Sequence, residues 1–110
     1  QMHPLLIASV LSNQLWFDTT QEGQYYILKP MASVTNSCVC NITVDIIRHG
    51  LHGESISQQT GTVQLTANRK QALGQMSFPV LQGDWLQVTV VLTDGDSVRL
   101  EKQVILPDKV

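Results

Sequence analysis

The fold is decided by residues 85–106, which read WLQVTVVLTDGDSVRLEKQVIL. Large aliphatic residues occupy every second position of the first half: Leu86, Val88, Val90 and Leu92. This period of two predicts a strand with one face in an apolar core. Asp94-Gly95 supplies the positive-φ residues of a tight hairpin turn, after which the alternation resumes on a return strand. The stretch therefore predicts an antiparallel β-hairpin.

The same alternation recurs along most of the chain, whereas helical periodicity is nearly absent. The other candidate strands are 15–19, 25–29 (closed by Pro30), 38–46, 54–58, 61–66 and 73–81. Seven to eight short strands with polar turns predict an all-β fold, an immunoglobulin-like antiparallel β-sandwich. We expect one domain over residues 1–110, because domains peak near ~100–150 residues.

Residues 1–11 allow three interpretations. The apolar run 5–11 is far shorter than the ~20 residues that cross a bilayer, so we expect no membrane span. It is the remnant of a secretory signal, a set of vector-derived residues, or a first strand.

Composition restricts the class of partner. The chain has 7 Lys+Arg against 9 Asp+Glu and only 15% charged residues. A nucleic-acid-binding protein would carry a basic stripe, so we expect no nucleic-acid partner. With so few charges, the solvent-facing β surfaces must be covered mainly by Ser, Thr, Gln and Asn.

The Cys38-Val39-Cys40 motif is the feature with the most distinctive chemistry. In an extended strand, residues i and i+2 point the same way about 6.6 Å apart, farther than a disulfide prefers. Closing so short a loop gains only about 1.6 kcal/mol by the chain-entropy relation. Three interpretations stay open: two thiols packed in the core, a labile redox pair, or part of a metal site.

Other candidate sites have simpler explanations. His49 and His52 lie in a glycine-flanked loop and lack a defined third ligand, although Cys38 and Cys40 would complete a soft-metal set. Asp94-Gly95-Asp96 resembles a fragment of a calcium loop, but a hairpin turn accounts for it. We expect no metal and no cofactor. We find no nucleophile elbow or phosphate loop, so a thiol–disulfide oxidoreductase at the cysteines is the one enzymatic interpretation left.

The outward positions of the predicted strands supply candidate partner-binding residues. Both tryptophans fall there by alternation, and exposed tryptophans often mark interfaces. The candidates are Trp16, Trp85, Gln87, Thr89, Arg99 and Gln103. The alternative is that these polar faces are only solvated.

Several segments together resemble the curli assembly protein CsgC family. They are residues 15–23 (LWFDTTQEG), Ser37-Cys38-Val39-Cys40 at the start of a long strand, 65–68 leading to Ala72-Leu73, and 88–92 followed by Asp94-Gly95. The resemblance runs from about Leu15 to about Leu106, and the Cys-x-Cys placement is its most specific part.

The resemblance implies a periplasmic immunoglobulin-like protein that keeps the major curli subunit from polymerising before export. It also implies curli amyloid subunits as partners and a redox-capable pair at Cys38 and Cys40. A protein that acts at low stoichiometry would contact rare nuclei or fibre ends, through an open strand edge or an outward β face. The alternative is a thiol–disulfide redox protein of the same system. We expect a monomer.

Overall fold

The computed structural model describes residues 12–107, which form eight β-strands. The strands are β1 (Gln14–Glu22), β2 (Tyr25–Ser33), β3 (Cys38–Gly50), β4 (Gly53–Leu65), β5 (Gln71–Ala72), β6 (Met76–Pro79), β7 (Trp85–Thr93) and β8 (Arg99–Leu106). The expectations for residues 1–11 lie outside the described part of the chain. Within that part, no helix has the length and apolarity needed to cross a membrane.

The strands form two antiparallel sheets. In the smaller sheet β1 pairs with β2, whose other edge pairs with β5 and β6. The larger sheet has the order β4-β3-β7-β8. The core lies between the sheets and draws on both: Leu15, Leu28, Ala32, Val34, Cys40, Val44, Leu65, Val88, Val90 and Leu92. The all-β antiparallel sandwich is thus confirmed, and so is the strand count.

Alternation located the buried residues of β7 correctly, because Leu86, Val88, Val90 and Leu92 are each fully buried. The boundaries of several other strands were wrong. The strand β3 continues past residue 46 to Gly50, so His49 lies in a strand and not in the predicted loop. The runs 54–58 and 61–66 are one strand, β4, which pairs with β3 without a bulge from Cys38↔Leu65 to Gly50↔Gly53. Of the predicted run 73–81, only residues 76–79 form a strand, β6; residues 73–75, which include Gly74, separate it from β5 at residues 71–72.

Pro30 does not close the second strand, as the sequence suggested, but lies buried inside β2. It pairs with Phe17 of β1, and on the other side it falls between the residues that pair with β6 and those that pair with β5. Its carbonyl accepts a hydrogen bond from the Leu73 amide (2.8 Å). Proline is tolerated here because neither β5 nor β6 pairs with β2 at the position toward which the missing N–H would be directed.

The turn between β7 and β8 is longer than the tight hairpin predicted, since it spans residues 94–98. Gly95 has the expected positive φ of 83°. One carboxylate oxygen of Asp94, Oδ1, accepts hydrogen bonds from the Asp96 amide (2.8 Å) and the Val98 amide (3.0 Å). The carboxylate is therefore used to hold the loop, which is the role of an Asx turn.

We predict that Asp94 titrates below its ordinary value. Hydrogen bonds from the amides of Asp96 and then Val98 favour the charged carboxylate and so lower the pKa of Asp94 from 3.8. A carboxylate with a depressed folded-state pKa contributes stability above its unfolded pKa and loses it as the pH falls through the folded value. A carboxyl-carbon NMR titration would measure this, and an ordinary pKa at Asp94 would contradict it.

Candidate functional site

The outer face of the larger sheet brings together five of the six predicted partner-binding residues. The registers of β3 with β4 and β7, and of β7 with β8, place outward side chains in rows across four strands. One row is Ile56, Ile47, Gln87 and Ile105; the next is Gln58, Asp45, Thr89 and Gln103; the one after it is Thr60, Thr43, Val91 and Glu101; and the following row ends at Thr93 and Arg99. We call this surface the outer face.

One end of the outer face is apolar and aromatic. Trp85 stacks on the imidazole of His49, with ring centroids 5.3 Å apart and planes at 18°. Nδ1 of His49 lies 3.4 Å from Oε2 of Glu54. In the adjacent row Ile56 is 74% exposed and Ile105 is 41% exposed. Large apolar side chains are thus left in solvent beside an anchored tryptophan.

The middle of the outer face is polar and internally hydrogen-bonded. Nε2 of Gln103 donates to Oγ1 of Thr89 (3.1 Å), and Nε2 of Gln58 donates to Oδ1 of Asp45 (2.7 Å). Arg99 pairs with Glu101 on the same strand (3.1 Å). The side chains of Arg99 and Glu101 are 64% and 50% exposed, so the pair contributes little to stability.

Trp16 is separated from the other candidates because it belongs to β1, in the smaller sheet, where it pairs with Met31. It borders a shallow cleft with Leu100, Glu101 and Lys102 of β8. Both tryptophans are only half-exposed, so neither is the fully exposed aromatic that alternation suggested. The imidazole of His49 covers part of the Trp85 ring.

Sequence reasoning missed several residues of the outer face, namely His49, Asp45, Ile47, Ile56, Gln58 and Ile105. Period two alone places Ile47 and Ile105 outward, which was an available signal. What joins them to Trp85 is the register of strands far apart in sequence, and alternation carries no information about register.

A disulfide joins Cys38 and Cys40 at the start of β3. Their Cα atoms are 5.5 Å apart, less than the about 6.6 Å of an extended strand, so the chain is locally contracted. The motif pairs with β4 on one side, whereas pairing with β7 begins only at Asn41. The contraction therefore lies in a part of β3 that forms backbone hydrogen bonds with only one neighbouring strand, β4.

The surroundings of this disulfide are apolar on one side and uncharged on the other. Cys40 is 0% exposed and belongs to the core, whereas Cys38 is half-buried. The shallow cleft beside Cys38 is lined by Ser37, Val39, Gln64, Leu65 and Thr66. No cationic side chain lines this cleft to stabilise a thiolate, the usual device at reactive cysteines.

The distance between the cysteines and the histidines excludes a soft-metal site that combines them. Cys38 and His49 are at opposite ends of β3, about 36 Å apart at ~3.3 Å per residue. Over residues 12–107, no group of three or more His, Cys, Asp or Glu side chains is arranged to hold a metal ion. The cysteines and histidines thus belong to two separate surfaces.

Comparison with known proteins assigns the chain to a family. A family model described as "Thin aggregative fimbriae synthesis protein" (Tafi-CsgC) matches residues 5–104. The chain belongs to the CsgC family. It is 36% identical over 102 residues to the curli assembly protein CsgC of Salmonella typhimurium, covering 93% of this chain and 94% of the relative. Its identity to CsgC of Escherichia coli is 35%, with 93% of each chain covered.

Solved structures agree with this assignment to the CsgC family. The structure described as "E. coli curli protein CsgC - SeCys" superposes with a TM-score of 0.77 and 34% identity, covering 87% of this chain and 99% of that one. The solution structure of R. palustris CsgH gives a TM-score of 0.65 at 14% identity, over 83% and 89% of the two chains. This second likeness concerns the fold alone.

Proposed function

We propose that this CsgC family member is a curli biogenesis factor that inhibits premature amyloid polymerisation of the major curli subunit. The observation that carries the proposal is the outer face, where Trp85 and exposed isoleucines adjoin a ladder of Thr and Gln side chains. Relatives that align over nearly the whole chain are named curli assembly proteins, which supports the choice of client.

The outer face suits a β-forming client of low charge. Amyloid segments combine high β-propensity, low net charge and polar side chains that form ladders. Ile47, Ile56 and Ile105 offer apolar contacts to such a segment, while Thr89 and Gln103 offer hydrogen bonds. Because a scarce inhibitor cannot sequester an abundant client mole for mole, this face acts on nuclei or fibre ends.

We place the protein in the periplasm. A disulfide between Cys38 and Cys40 suits an oxidising compartment. A client that polymerises outside the cell needs an inhibitor between synthesis and export.

The test is fibre formation by the purified major curli subunit, followed by amyloid-dye fluorescence with this protein added well below equimolar. We predict a long lag with wild type and a much shorter lag with Trp85→Ala. Truncating an aromatic anchor costs about 2 kcal/mol or more, about thirtyfold in affinity.

The matched control is Trp16→Ala, which removes the same side chain from the other sheet. Circular dichroism would verify that both variants are folded. A wild-type protein that leaves the lag unchanged would refute the inhibitor function. Equal lags with the two variants would keep inhibition but refute the outer face as its site.

The disulfide supports a second candidate function, thiol–disulfide exchange. A client thiolate would attack Sγ of Cys38, form a mixed disulfide and release Cys40 as a thiolate. Because Cys40 is 0% exposed, the leaving thiolate would form in an apolar site, which disfavours the step. Rapid reduction of the disulfide by glutathione would favour this function over the first.

A further inference from the structure

The free edge of β4 is long and lacks the usual protection. Among residues 12–107, β3 is the only strand that pairs with β4, so the second edge of β4 has no neighbour. The strand runs without a bulge from Gly53 to Leu65, and after Glu54 it contains no charged residue and no proline. Charges, proline and bulges are the devices by which native edges avoid pairing.

The opposite edge of the same sheet is guarded. The strand β8 carries Arg99, Glu101 and Lys102. It also lies beside β1 of the other sheet, across a cleft lined by Leu15, Trp16 and Leu100. The β8 edge is therefore charged and lies against β1, while the β4 edge is uncharged beyond Glu54 and lacks a neighbour among the described residues.

An uncharged groove opens between the sheets beside β4. Its volume is about 280 Å³, and its lining is Pro30, Ile42, Val44, Gln59, Thr60, Gly61, Thr62, Val63, Leu73, Gly74, Gln75 and Met76. The groove exists because β5 and β6 are short and separated by residues 73–75, so the smaller sheet covers β3 and β4 incompletely. The lining includes the apolar side chains of Ile42, Val44, Leu73 and Met76, against which inserted apolar side chains would be buried.

Part of this groove is empty because Gly61, which lines it, has no side chain. The residue lies on the inward side of β4, opposite Ile42. A Cβ atom at this position would meet only Cγ2 of Ile42, at 4.0 Å. Space for a side chain is thus present at position 61 of β4, on the core side, and is not used by this chain.

We propose that the β4 edge and the adjoining groove accept an extended, uncharged segment of another protein as an additional antiparallel or parallel strand. A strand added to β4 projects every second side chain inward, over the groove. The segment therefore alternates aliphatic or aromatic residues with Gln, Asn, Ser or Thr. A charged segment is disfavoured, because neither the groove nor β4 after Glu54 offers a counter-charge.

A second copy of this chain fits the site less well. Two β4 strands overlap over their full length when they pair antiparallel about Gln59, the middle residue of β4. In this register the inward residues beside Gly61 and Val63 would be Ser57 and Ser55 of the second copy. Small hydroxyl side chains would leave the apolar floor of the groove uncovered, without the burial that stabilises an interface. The occupant is accordingly a foreign strand with larger inward side chains.

This inference goes beyond the proposed function, because it concerns another surface and its test involves no fibre formation. The probe is a fluorescent, end-blocked peptide of about nine residues, Thr-Val-Gln-Phe-Thr-Val-Gln-Thr-Gln, within the usual strand length. Anisotropy titration compares wild type with Gly61→Val, which fills the groove. We expect binding to weaken about ten- to hundredfold, the equivalent of one apolar side chain denied burial.

Two controls keep the result specific. Gln64→Val places the same side chain on the outward side of β4, at a residue outside the groove lining, and is expected to leave the affinity unchanged. Thermal unfolding is expected to show that Gly61→Val is at least as stable as wild type, since glycine weakens a strand interior. Amide exchange on binding should slow along β4.

Three results would overturn the proposal: no peptide binding by wild type, equal affinity of Gly61→Val and wild type, or protection along β8 instead of β4. Each of them leaves the outer face and its fibre assay unaffected, so the two proposals fail separately.

Discussion

Replacing Leu92 by alanine is expected to lower the free energy of unfolding by about 3–5 kcal/mol. Leu92 is 0% exposed and belongs to the cluster that joins the two sheets. Truncation removes its transfer free energy and leaves a cavity that the surrounding strands fill only in part. Because small domains have total stabilities of only about 5–15 kcal/mol, this variant is expected to be partly unfolded at moderate urea concentrations.

Equilibrium urea denaturation measures this effect, and Val91→Ala is the matched control. Val91 neighbours Leu92 on the same strand but points to the outer face and is half-exposed. Its truncation is expected to cost about 1 kcal/mol or less, mainly through β-propensity. Equal losses for the two variants would contradict the assignment of the two faces of β7.

Much of the fold could be predicted because local sequence determines which side of a strand faces the core. The alternation in residues 85–92 identified the buried side chains of β7 and the neighbouring hairpin. Alternation cannot determine which strands pair, so the continuity of β4 became visible only through its unbroken register with β3. The prediction that Pro30 ends the second strand was wrong for a related reason, because the strands that flank β2 there come from distant segments of the chain.

The candidate site was predictable to the extent that it is local. Trp85, Gln87, Thr89, Arg99 and Gln103 share one face, since β7 and β8 are consecutive and joined by a short loop. Alternation also places Trp16 on the outward side of its strand, but it cannot show that this strand belongs to the other sheet. The stacking of His49 on Trp85 likewise depends on the pairing of β3 with β7.

The outer face and the β4 edge are suited to different kinds of contact with a partner. The outer face offers side chains, with apolar rows beside polar ones, so its specificity depends on the client's side chains. The β4 edge offers unpaired backbone groups, whose hydrogen bonds depend little on sequence. A client strand paired with β4 would extend the sheet whose outer face carries Trp85, so both surfaces are able to contact one partner.

Replacing both cysteines by serine is expected to lower the free energy of unfolding by about 2–5 kcal/mol. The loss of the short disulfide loop accounts for about 1–2 kcal/mol. The remainder arises because a serine hydroxyl at position 40 would be buried among apolar side chains, where an unsatisfied polar group costs about 1–3 kcal/mol. Chemical denaturation of the double variant, Cys38→Ser with Cys40→Ser, measures the sum.

The matched control is the double alanine variant, which also lacks the disulfide but buries no hydroxyl. We expect it to be more stable than the serine variant by about 1–3 kcal/mol. Equal stabilities would mean that the Cys40 site admits water, which would also make the sulfur accessible and strengthen the redox alternative. If the alanine variant still delays fibre formation like wild type, the pair acts in packing and not in inhibition.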